Sequence, residues 1–150
     1  MFDYPSAAEL IAAARAHLER QVLPALADPR LRFQTLVAAN VLAIAERELA
    51  AGDQPLRAAW GRLGGLLGAP EAGAPAGAEL RAELAERERA LIGAIQAGAF
   101  DAGPARERLA EHLRATALAE LAVSNPRLLE RAAADALRNT QHRGAERTEF

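Results

Sequence analysis

The stretch FQTLVAANVLAIAERELAAG, residues 33–52, limits the fold more than any other part of the chain. Phe33, Leu36, Val37, Val41 and Ile44 recur at three- and four-residue intervals. That is the period of one helix face, not the alternation of a strand. The spacing predicts a helix from Leu31 to Ala51, stopped by Gly52. Asn40 falls among Val37, Val41 and Ile44 and is expected at the buried centre of this helix. Burying an amide costs free energy unless its donors and acceptors are met. Asn40 therefore reads first as a cross-helix hydrogen-bonding residue that fixes register, and second as the floor of a ligand pocket.

The same period recurs between Gly and Pro breakers. Ser6 and Glu9 form a capping box ahead of Leu10, Ile11, Ala14, Leu18 and Val22, and Pro24 with Ala27–Arg30 ends or bends that helix. Asp53 can cap a helix lined by Leu56, Ala59, Trp60, Leu63, Leu66 and Leu67. Leu80, Leu84, Leu91, Ile92 and Ile95 mark a helix over residues 79–97, in which Glu83 and Arg87 can pair across one turn. Leu109, Leu113, Ala117 and Leu121 mark the next, from Pro104 to Val123. Asn125 and Pro126 open a last one with Leu128, Leu129, Ala132 and Leu137. No strand pattern is seen. The expectation is all-α: an irregular bundle of five or six helices in a single domain, residues 1–150. A flexible Gly/Ala/Pro linker is expected at 68–79 and a frayed tail from about residue 139.

Composition removes whole classes of chemistry. With no cysteine there are no disulfides, thiolate metal sites or cysteine nucleophiles. All 18 cationic side chains are arginine, so there is no Schiff-base lysine and no lysine-bearing phosphate loop. A formal charge of −2 draws neither nucleic acid nor an anionic membrane. The N-terminal residues have no basic leader and no apolar run of spanning length, which points to the cytoplasm.

Few residues stand out as carriers of chemistry. His17, His112 and His142 fit neither HExxH nor ExxH, so no metal and no other cofactor is expected. All three read as surface or boundary histidines. Arg32 near the start of the 31–51 helix, with Glu46, Arg47 and Glu48 at its end, could line a polar opening beside Asn40. The plainer reading is a solvated face with one inter-helix ion pair. Glu46 and Glu48, two apart, do not face each other as a catalytic pair would. Asn125 and Arg127 sit at a helix start that suits an anion, although capping alone accounts for that segment.

Three segments together, PSAAELIAAARAHLERQVLPAL, RLRFQTLVAANVLAIAEREL and LAVSNPRLL, resemble an uncharacterised family of small bacterial helical proteins classed as a domain of unknown function. The resemblance runs from Pro5 to Leu137 and rests on Phe33, Ala38, Ala39, Asn40, Glu48, Ser124, Asn125 and Pro126. Such proteins are typically encoded beside acyl-CoA dehydrogenase-like and aminoglycoside phosphotransferase-like proteins. The resemblance implies an accessory role in acyl-CoA or small-molecule catabolism and no active site. The expected function is therefore a helical accessory or protein-interaction domain, with a protein partner or a homodimer and an exposed apolar patch. The alternative is a small-molecule binder with an inter-helix pocket near Asn40. The candidate ligand or interface contacts are Arg32, Asn40, Glu48, Asn125 and Arg127.

Overall fold

The computed structural model describes residues 5–69 and 73–135. Every regular element among them is helical, and six helices form an irregular all-α bundle. The chain divides into two compact units, residues 1–54 and 55–150.

In the first unit, α1 (Ala7–His17) starts at the expected capping box. The Ser6 backbone N–H donates to Glu9 Oε2 at 2.6 Å, and the Glu9 N–H donates back to Ser6 Oγ at 3.3 Å. The bond from the Ser6 backbone N–H, then that from its hydroxyl, holds the Glu9 carboxyl below the usual carboxylate range. The helix widens into a π-helical turn, Leu18–Val22, and ends in the short α2, Leu23–Ala25. Pro24 explains the widening. Its ring would clash with the carbonyl four residues back, and it has no N–H to offer, so a looser turn is cheaper here. Asp28 then caps α3 (Pro29–Ala51), its carboxylate accepting from the N–H groups of Arg30 and Leu31 at 2.7 and 3.3 Å. The Asp28–Pro29 pair is thus a helix start, a cap followed by a first-turn proline. Gly52 closes α3 with φ 56°, a conformation that favours glycine, while its N–H reaches the Glu48 carbonyl.

α1 packs on α3 as a helical hairpin. One neighbour can cover only one stripe of a helix. That stripe on α3 is Thr35, Ala39, Leu42 and Glu46, at the helical period, with Ala39 only 3% exposed. Ile11, Arg15, Leu18 and Val22 are half-buried on the other side of the hairpin, and Leu23 is buried. Arg15 Nε donates to Glu46 Oε2 at 3.0 Å across it, the inter-helix ion pair expected from the Glu46–Glu48 cluster. This bond, then a second one to Glu19, raises the pKa of the Arg15 guanidinium.

The second unit has α4 (Gln54–Leu67, its first residue at the boundary), α5 (Gly77–Gln96) and α6 (Gly103–Ser124), followed by helical residues 126–135. Trp60, Leu63, Leu80, Leu84, Leu91 and Phe100 form its core, with Ala105 and Leu109 packed against it. Trp60 is held by two residues of α5, one turn apart. Its indole N–H donates to Glu83 at 3.1 Å, and the Arg87 guanidinium lies 3.7 Å from its ring centroid. Arg87 also donates to the Trp60 carbonyl at 3.0 Å. Glu83 and Arg87, expected to serve each other, both serve Trp60. Gly64 is buried beneath this guanidinium, and a Cβ there would come 2.5 Å from Arg87 Nη1.

Two stripes sit at a different phase from the one hydropathy predicts. Ile92 and Ile95 of α5 and Leu113 of α6 are exposed. The inward line of α6 is Ala105, Leu109, His112 and Thr116, so His112 is buried and is not a boundary residue. Part of the expected linker, residues 70–72, lies outside the described residues, as do the expected tail, Leu137 and His142. Residues 77–79 already belong to α5.

Candidate functional site

Asn40 is exposed, not buried, and this corrects the central expectation from the sequence. The apolar stripe around it is exposed with it. Phe33 is 67% exposed and Val41 56%, and Leu36 and Val37 are about half exposed. The cause is the choice of packing face. α1 approaches over the small side chain of Ala39, which turns Asn40, about 100° further round, away from the hairpin. The pocket floor between helices expected at Asn40 does not form there; the amide stands in the middle of an outward apolar face.

α3 carries Arg32, Asn40 and Glu48 at eight-residue intervals, so successive side chains root about 12 Å apart along the axis. They do not converge. Arg32 Nη1 donates to the carbonyls of Leu23 and Leu26 at 2.8 and 3.3 Å, closing the end of the preceding helix. It acts as a cap, not as the wall of an opening. Glu48 is exposed, and its backbone carbonyl accepts from Gly52. Asn125 and Arg127, both exposed, belong to the second unit. The Asn125 N–H donates to the Leu121 carbonyl at 2.8 Å and its own carbonyl accepts from Leu128, so its backbone links α6 to the next helical segment. Ser124 Oγ donates to the Glu120 carbonyl, back into α6, and does not cap the helical residues 126–135.

Among the described residues no cluster of three or more His, Asp or Glu side chains could hold a metal ion. No described helix is long and apolar enough to cross a membrane. The polar atoms that stand out lie in the second unit; of their residues the sequence singled out only His112, and as a surface or boundary histidine. His112 Nδ1, Thr116 Oγ1 and Arg62 Nε are buried without a hydrogen-bond partner. Burial, then the nearby Arg62 charge, hold the pKa of the His112 imidazole below its usual value, with Glu88 acting weakly the other way. The only hint in the sequence was the position of His112 three residues after Leu109 and four before Thr116, on one helical line.

The described residues define an irregular all-α protein whose third helix carries an outward apolar stripe. The chain belongs to the family described as Domain of unknown function (DUF6285), which matches residues 24–128. No curated protein and no solved structure matches it.

Proposed function

We propose that this protein is a helical interaction module that docks through the outward face of α3, and that the simplest occupant is a second copy of the chain. The supporting observation is the exposed stripe of Phe33, Leu36, Val37 and Val41 around Asn40. Full burial of such a side chain is worth about 1.5–3 kcal/mol, and about half of that surface is still open on each. Contiguous apolar patches of this kind mark interaction sites.

Asn40 is the midpoint of α3, eleven residues from Pro29 and eleven from Ala51. An antiparallel pair of α3 helices related by a two-fold axis beside Asn40 would therefore overlap along the whole helix. The two amides meet at the axis, where each offers the donor and the acceptor the other needs. The apolar residues before Asn40 on one helix meet those after it on the other. A lone Asn in an apolar seam is a known device for fixing register at some cost in stability.

The accessory role that the family resemblance implied, in acyl-CoA or small-molecule catabolism, fits a module that offers a docking face and no catalytic constellation. Sedimentation of the full chain beside Leu36→Glu and Val41→Glu tests the reading. The expected result is a dimer for the parent and monomers for both variants, with helicity by circular dichroism unchanged because both side chains are already exposed. A parent chain that stays monomeric across the accessible concentration range would overturn self-docking.

A further inference from the structure

One line of α3 runs along its outward side through Arg30, Val37, Val41 and Glu48, all of them exposed. Their intervals of seven, four and seven residues span five helical turns, so the four side chains leave the helix within about 20° of one direction. The side chains of Arg30 and Glu48 take part in no hydrogen bond or ion pair among the described residues. Both charges also stand at the less favourable end of their own helix. Arg30 is in the first turn of α3 and Glu48 in the last, whereas the helix dipole favours an anion at the start and a cation at the end. Two unpaired charges, each set against its local preference, point to a partner outside the helix.

The line reads the same from either end, except that its two charges are opposite. Residues 30 and 48 are centred on residue 39, and so are residues 37 and 41. A two-fold axis beside residues 39 and 40 lays this line of one copy antiparallel on that of another. Val37 then meets Val41 of the second copy and Arg30 meets its Glu48, and both contacts recur on the far side of the axis. A parallel pair would instead set Arg30 against Arg30 and Glu48 against Glu48. We propose that reciprocal Arg30–Glu48 ion pairs between two copies of the chain fix the antiparallel alignment of α3; this rests on the docking of α3 against a second copy. Exposed ion pairs add little affinity, which the apolar stripe supplies. They set orientation and reject alignments that bring like charges together.

The test is charge exchange in the full chain, read as the Kd of self-association by sedimentation. Arg30→Glu and Glu48→Arg should each weaken self-association about tenfold or more, because both charged contacts of the dimer become like-charged. The double variant Arg30→Glu/Glu48→Arg should return to the parent affinity, and an equimolar mixture of the two single variants should form the heterodimer. Net charge alone gives a different pattern. From the parent value of −2, Arg30→Glu moves further from zero and Glu48→Arg reaches neutrality, so only the first would weaken association. Each substitution places the favourable sign at its end of α3, so a lost dimer does not reflect a lost helix, and circular dichroism checks this. Single variants that self-associate like the parent would overturn the ion pairs and leave α3 docking in place. So would a double variant no tighter than the weaker single one. A parent chain that is monomeric throughout would overturn both.

Discussion

Ala39 and Asn40 are neighbours in the chain and stand about 100° apart around α3: Ala39 is buried under α1 and Asn40 is exposed in the outward stripe. The small residue lies where α1 packs, and the amide stands among exposed apolar side chains. This division gives the two positions opposite sensitivities.

Ala39→Leu should destabilise the hairpin by about 1–3 kcal/mol, because extra methylenes must be forced between α1 and α3. Asn40→Leu should change folding by no more than about 0.5 kcal/mol, as a surface substitution does. Chemical denaturation of both variants in dilute solution, followed by circular dichroism, checks the contrast. Equal losses would mean that Asn40 is packed after all.

Gly64 and Arg87 should behave as one unit. Gly64→Ala places a methyl group where the Arg87 guanidinium lies, and the flexible arginine is the group that yields. Arg87→Met removes the stacking on Trp60 and the bond to its carbonyl, a loss of about 1–3 kcal/mol. Trp60 fluorescence should shift in each variant, and the double variant should lose less than the sum of the two. Strict additivity would show that Gly64 does not act through Arg87.

His112 should make the second unit sensitive to mild acid. Its pKa in the folded chain lies below the unfolded value of about 6.5, chiefly through burial and then through Arg62. At pH values between the two, the unfolded chain binds the proton and the folded chain does not, so stability rises with pH there. The contribution is complete above the unfolded pKa and is lost as pH falls through the folded one. Thermal unfolding should show this slope in the parent chain and a flatter one in His112→Leu. An unchanged slope in the variant would assign the acid sensitivity to other groups.

The fold class was legible in the sequence because its signals are local. Ser6 with Glu9, Gly52 and the periodic leucines of α4 each work within a turn or two of the chain. The phase of α3 was not legible. Its bulky residues, Phe33, Leu36, Val37 and Val41, outrank the line Thr35, Ala39, Leu42 and Glu46 in hydropathy, yet that second line packs. Close approach of a neighbouring helix rewards small side chains and an ion pair such as Arg15–Glu46, and hydropathy records neither. The same preference for bulk favoured Leu113 over His112 on α6, which hid the three unmet polar atoms. Arg32 read as part of an opening because its acceptors, the Leu23 and Leu26 carbonyls, exist only once the first helix has ended.

The chain has no cysteine, so a single introduced one reports on docking without a background. Oxidative cross-linking of Asn40→Cys, with Glu48→Cys as control, tests the antiparallel α3 interface most directly. A disulfide requires Cβ atoms about 3.5–4.5 Å apart. A two-fold axis beside residue 40 brings the two Asn40 positions together and leaves the two Glu48 positions about 24 Å apart along the helix axes. The antiparallel pairing predicts rapid formation of a covalent dimer by Asn40→Cys and none by Glu48→Cys. Cross-linking of Asn40→Cys no faster than that of Glu48→Cys would contradict it.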